Sequence, residues 1–163
     1  MFHTMRITTF LLVVLVGVAV GEDSLAACVE KELSASTTWK GEVALPGTVL
    51  YNATLNIDNV NSVSDPAVVL APFDAAAVSA GVLAARGCKA PWVSVQSGGH
   101  SAAGYGLNQN GVVINMKVFM RRIDAREDGA LVVEAGALWA DIYRVVDEQG
   151  LGWLPIGGGG SPG

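Results

Sequence analysis

The stretch Val95-Gln96-Ser97-Gly98-Gly99-His100-Ser101-Ala102-Ala103-Gly104-Tyr105-Gly106 places four glycines, at 98, 99, 104 and 106, around one histidine. Main chain with so little Cβ surface lets a ligand come close, and successive N–H groups in such a loop can converge on an anion, a pyrophosphate being the usual guest. A flexible surface loop would carry the same glycines. Here, however, strand-type runs flank the loop on both sides, over 92–96 and 112–116. Two commoner nucleotide patterns fail. Gly99 to Gly104 has the first spacing of a P-loop, but Tyr105 stands where the phosphate-binding Lys is needed. The dinucleotide fingerprint must run into a helix, whereas Gly104-Tyr105-Gly106 runs into Leu107-Asn108-Gln109 and another strand. What remains is a strand-loop-strand anion cradle carrying His100.

Working outward, Val68-Val69-Leu70-Ala71 reads as a strand closed by Pro72. Asp74 is a good N-cap for a helix over 75–86, and Gly87 sits where a C′ glycine belongs. With the strand at 92–96 this makes a βαβ unit, with parallel strands and a right-handed connection, and the glycine loop lies at the carboxyl end of its second strand, where ligands bind in such sheets. Downstream, Asp128-Gly129 predicts a hairpin between 123–127 and 131–135, after a basic pair at Arg121-Arg122. A helix over 138–149 puts Leu138, Ile142, Val145 and Val146 on one face, with Gly150 closing it. Upstream, Leu25, Cys28, Val29 and Leu33 have helical spacing within 24–37, and Ser24 or Ser36 could mark an end. An extended stretch follows, and 49–63 reads as irregular or extended. No internal repeat is present.

The whole chain has 163 residues, 51% hydrophobic and 15% charged, with 10 Lys+Arg against 15 Asp+Glu. That length suits one domain. The acidic balance disfavours a nucleic-acid partner but leaves room for nucleotide-sized ligands held by main-chain donors. Part of the hydrophobic fraction belongs to residues 1–21. Arg6, an eleven-residue apolar run from Phe10 to Val20 and then small residues are the layout of a secretory signal peptide, cleaved after Gly21 or Ala26. The run is well short of the roughly 20 residues of a spanning helix, so no membrane attachment is expected after cleavage. Removal takes away His3, leaving His100 as the single histidine. Export would let Cys28 and Cys88 pair, two buried thiols being the alternative. Asn52-Ala53-Thr54 is an N-glycosylation sequon, in keeping with an extracellular location. One histidine and two cysteines at these separations do not make a metal site.

The run Val95–Ser101 with Gly104-Tyr105-Gly106 and the strand at 112–116 resembles the FAD-binding domain of the vanillyl-alcohol-oxidase or PCMH type, nearest the berberine-bridge-enzyme-like FAD-linked oxidoreductases. The likeness covers roughly 62–163 and continues through Val132-Val133-Glu134-Ala135-Gly136-Ala137-Leu138-Trp139-Ala140-Asp141-Ile142-Tyr143. It implies an α+β fold, with a βαβ start and a mixed sheet flanked by helices, and FAD as cofactor. Ser97, Gly98, Gly99, Ser101 and Gly104 match the family's pyrophosphate-loop positions, and Gly136 with Ala137 matches a later segment against the nucleotide. His100 matches the histidine that many members link covalently to the 8α carbon of the flavin ring. Cys28 and Cys88 resemble positions of an N-terminal disulfide in relatives.

There are departures from the family pattern. Gln96 stands where relatives often have Arg, and Asn115 where they often have Asp. The later glycine cluster lacks the Cys that gives some members a second flavin link. The implied division is a signal peptide at 1–21, an N-terminal helix and extended segment at 22–61, and a truncated FAD-binding domain at 62–163, the chain stopping inside the loop around Gly157–Gly160. The implied function is that of a secreted FAD-dependent oxidoreductase of sugars, alcohols or secondary metabolites. Its small-molecule substrate would be held by a missing C-terminal domain that also supplies the catalytic base, so the 163-residue chain alone would not be catalytically competent. The alternative is a truncated secreted flavin-binding or effector protein without catalysis.

Overall fold

A computed structural model describes residues 24–57, 64–101 and 103–152; the expected signal peptide and the glycine run at 157–160 lie outside the described residues. Helix α1 (Leu25–Ala35) starts where Ser24 accepts a hydrogen bond from the Ala27 N–H at 3.1 Å, and it buries Ala26, Val29 and Leu33. Strand β1 (Gly41–Ala44) and helix α2 (Val49–Leu55) follow. Strand β2 (Val68–Pro72), helix α3 (Ala75–Gly87), strand β3 (Val93–Gln96) and strand β4 (Val112–Asn115) build the centre. A hairpin of β5 (Ile123–Ala125) and β6 (Leu131–Val133) leads into helix α4 (Trp139–Glu148).

The main sheet runs β1-β2-β4-β3, with β1 antiparallel and the other three strands parallel. Every residue of β2 and β4 is buried, as expected of strands covered on both faces. Alternation divides their side chains between two cores. Val68, Leu70, Val112 and Ile114 meet Val29 and Leu33 of α1 and Ala80, Ala84 and Ala85 of α3. Val69 and Val113 meet Tyr51 of α2 and Leu107 on the other face. Strand β3 is a sheet edge, and Trp92, Val93 and Val95 are exposed along it. The disulfide between Cys28 and Cys88 joins α1 to the end of α3, settling the choice left open by the sequence in favour of pairing.

This is the α+β architecture expected, and the two strands of the βαβ unit are parallel as expected, with β4 between them. Two local corrections concern helices. Within 49–63, residues 49–55 form a helix rather than an irregular or extended stretch. Its Val, Asn and Thr residues are poor helix formers, so tertiary packing supplies the preference: Tyr51 and Thr54 are buried, and the Tyr51 hydroxyl donates to Pro66 O at 2.7 Å. The end of α3 also differs. The chain stays helical through Gly87, and the left-handed residue is Lys89, with φ of 55°. The Lys89 and Ala90 N–H groups bond back to Arg86 O and Ala85 O, a Schellman closure two residues later than Gly87.

Two predictions follow from these placements. A non-glycine residue in the left-handed region costs about 1–2 kcal/mol, so Lys89→Gly should raise stability by about 1 kcal/mol, read as a higher thermal midpoint. Burial, reinforced by the negative charge of Asp65, raises the Tyr51 phenol above its ordinary value of 10.0. A raised phenol favours the neutral form in the fold, so its contribution is complete below pH 10.0 and is lost as pH climbs through and beyond that value. Tyr51→Phe should cost about 1 kcal/mol at neutral pH and flatten the alkaline decline in urea unfolding.

Candidate functional site

The register of β3 on β4 pairs Gln96 with Asn115, which sets the carboxyl ends of the two parallel strands side by side. The glycine loop leaves β3 at this point. It turns at Ser101, whose carbonyl accepts from the Gly104 N–H and whose hydroxyl accepts from the Tyr105 N–H, both at 3.0 Å. Gly99 holds φ of +86°, which a side chain would resist. Among the described residues, no acceptor takes the N–H groups of Gly98, Gly99, His100 or Ser101. Four consecutive donors without a protein partner are suited to an anion.

These residues line a cavity of about 420 Å³ that includes Ser97, Gly98, Gly99, His100, Ser101 and, across from them, Ala137. Val95, Gln96, Tyr105, Gly106 and Trp139 complete its wall. His100 is exposed at its rim. A second, more apolar cavity of about 500 Å³ lies between the hairpin and α4, walled by Leu131, Val133, Ala135 and Ile142 with Glu134 as its one charged residue, and it shares Ser97, Ala137 and Trp139 with the first. The Ser97 hydroxyl donates to Ala135 O and so ties the glycine loop to the later segment. Neither arginine of the basic pair lines either cavity. Arg121 meets Asp141 at 2.8 Å, and Arg122 meets Asp124 at 3.2 Å and Glu134 at 3.8 Å.

The two residues that depart from the family pattern lie beneath the loop. Gln96 and Asn115 are buried, 5% and 4% exposed, and neither is charged. The Gln96 Nε2 donates to Thr54 O at 2.9 Å, and the Asn115 Nδ2 donates to the Thr54 hydroxyl oxygen at 2.8 Å. Asn115 Oδ1 accepts from the Lys117 N–H at 2.9 Å, which fixes the chain leaving β4.

The expected site residues therefore separate. Ser97, Gly98, Gly99, His100, Ser101 and Ala137 share one cavity, whereas Gly104 and Gly136 are not on its wall. Gly104 serves the turn behind it. Gly136 is buried against the β4–β5 connection, where a Cβ would lie 2.0 Å from Met116 O and 2.8 Å from Met120 O. Its N–H also bonds to Met120 O at 2.8 Å. Sequence reasoning did not single out Trp139 or Tyr105 as wall residues, although both lie within motifs it quoted. Thr54 was read only as part of a sequon. Gly136→Ala should cost about 2–3 kcal/mol, because main chain rather than a movable side chain blocks the methyl group, and thermal unfolding would report it.

A family model described as "FAD binding domain" matches residues 66–163. A comparison with curated proteins finds no match. Among solved structures, similarity extends to CrmK, described as a flavoenzyme involved in shunt product recycling in caerulomycin biosynthesis, at 27% identity and TM-score 0.62, covering 69% of this chain and 22% of that one. BBE-like 1 of Physcomitrella patens is 23% identical with TM-score 0.64, over 77% of this chain and 26% of that one. The carbohydrate oxidase of Microdochium nivale is 24% identical with TM-score 0.65, over 75% and 26%. The chain thus spans about a quarter of the length of these solved relatives. With its mixed sheet, flanking helices and glycine loop, it belongs to the FAD binding domain family, as its resemblance to the berberine-bridge-enzyme-like and PCMH-type proteins implied.

Proposed function

We propose that this chain is the FAD-binding portion of a secreted FAD-dependent oxidoreductase acting on a sugar, alcohol or secondary metabolite. The observation that carries the reading is the run of four unpartnered N–H groups at 98–101, beside His100, on a cavity that continues into an apolar one past Ser97 and Ala137. FAD combines a diphosphate with flat rings, and these two kinds of wall suit its two kinds of surface. Because Arg121 and Arg122 are engaged by carboxylates, the diphosphate is held by the main-chain donors of Gly98, Gly99, His100 and Ser101 rather than by side-chain cations, with Ser97 beside them and Gly104 shaping the turn through its own bond to Ser101 O. Gly136 fixes the height of the later segment, and Ala137 flanks the nucleotide.

Bound FAD supplies a two-electron acceptor that takes hydride at N5. In this reading His100, at the rim of the cavity, would be the residue that holds the flavin covalently, through a ring nitrogen at the 8α carbon. Substrate contacts and the catalytic base come from the rest of the protein, outside this chain. The solved relatives are named for substrates as different as carbohydrates and 6-hydroxy-D-nicotine, in keeping with the breadth of the proposed substrate class.

Secretion is supported by the Cys28–Cys88 disulfide and by the apolar leader at 1–21. No helix among the described residues is long and apolar enough to cross a membrane. The domain boundaries belong to the same proposal: 1–21 is removed, 22–61 is an N-terminal segment, and 62–163 binds the cofactor. Asn52, exposed on α2, is the proposed glycan site.

The test is acid precipitation of the purified full-length protein. Flavin should stay with the pellet of the parent and pass entirely into the supernatant for His100→Ala. Flavin retained in the pellet of His100→Ala would exclude attachment through this residue. A parent protein that carries and binds no flavin would exclude the function.

A further inference from the structure

We propose that Thr54 is a positioning residue for the cofactor loop, acting from helix α2 beneath the sheet; the cofactor part of this statement rests on the FAD reading above. Thr54 is only 2% exposed, although it belongs to a sequon, a motif ordinarily found at the surface. Three bonds meet on it. Its carbonyl accepts from Gln96 Nε2 at 2.9 Å, and its hydroxyl accepts from Asn115 Nδ2 at 2.8 Å while donating to Leu50 O at 2.9 Å.

Gln96 is the last residue of β3 and immediately precedes the loop, and its carbonyl accepts from the Met116 N–H at 2.8 Å. Asn115 is the last residue of β4, and its other side-chain atom holds the Lys117 N–H. One residue of α2 therefore fastens the end of β3, which lines the cavity, and the end of β4, its partner in the sheet. The bonds of Thr54 with Gln96 and with Asn115 are buried and neutral, so each matters chiefly because an orphaned partner has no water to turn to.

Placement in α2 also bears on the sequon. The Thr54 hydroxyl is occupied on both its donor and acceptor sides, and the segment is helical, so Asn52 is a glycan acceptor only before α2 forms. In the folded protein the threonine serves the loop.

The experiment uses the full-length protein from a secreting host and compares four variants. Thr54→Val keeps the shape and the carbonyl but orphans the Asn115 amide. Thr54→Ser keeps the hydroxyl and the sequon, Asn52→Gln removes only the glycan, and Tyr51→Phe weakens α2 on its other attachment, at Pro66. Hydrogen exchange is followed over 93–97 and 112–118, and FAD rebinding is followed by flavin absorbance with parent and variants all carrying His100→Ala, which leaves the flavin removable.

Thr54→Val should speed exchange in both segments by roughly tenfold and weaken FAD rebinding by a similar factor. Thr54→Ser should restore both to within about twofold of the parent, Asn52→Gln should leave both unchanged, and Tyr51→Phe should leave FAD rebinding unchanged while speeding exchange only by its overall loss of stability, about fivefold and in all protected segments alike. Unchanged exchange in Thr54→Val, or equal acceleration in Tyr51→Phe or Asn52→Gln, would overturn the proposal. Should exchange respond as stated while the parent protein binds no FAD, the anchoring stands and the FAD reading falls.

Discussion

The pairing of β4 with β2 on one side and β3 on the other is the constraint on which the rest of the structure depends. A strand buried on both faces and hydrogen-bonded along both edges has one register that keeps Val112 and Ile114 in one core and Val113 in the other. That register brings Asn115 beside Gln96, and so determines where the glycine loop departs and which atoms lie beneath it. A one-residue slip would turn Asn115 out of the α2 side and leave Thr54 facing carbon. Hydrophobic alternation, which is indifferent to chemistry, thus aims the polar groups of the site.

The loop is held from two directions by different means. Beneath it is a closed set of neutral hydrogen bonds among Thr54, Gln96 and Asn115. Across from it, the Ser97 hydroxyl reaches Ala135 O, while the absence of a side chain at Gly136 lets that segment lie against Met116 and Met120. Charge has little part in either. The ion pairs of Arg121, Arg122 and Arg144 with Asp141, Asp124, Glu134 and Glu148 brace the hairpin and α4 at the surface, where each is worth little on its own. The cavity wall is left to backbone dipoles and small residues.

Much of this was legible in the sequence because the signals were local. Ser24 and Asp74 cap helices through their own side chains, Asp128-Gly129 turns a hairpin, and the glycine loop advertises its backbone. Helix α2 was not legible, since Val49, Asn52 and Thr54 disfavour helix locally and the contacts that override them come from Pro66, Gln96 and Asn115. The insertion of β4 between β2 and β3 is likewise a long-range choice. Lys89 in the left-handed position contradicts the glycine rule two residues away, and only the bonds to Ala85 and Arg86 reveal it. At the site, the loop residues were found by composition. Trp139 joined them only through the fold, and Gly136 proved to face main chain rather than the cavity.

The Cys28–Cys88 bond makes residues 28–88 a covalent ring that contains β1, α2 and β2. A protease that cuts any single peptide bond within this ring produces two termini but no separate fragment. Helix α2, with the threonine under the loop, remains tethered to the sheet after such a cut. A cut between the loop and the segment that faces it has no such safeguard, because there the polypeptide is the sole covalent link and what remains is the Ser97 hydrogen bond to Ala135 and packing.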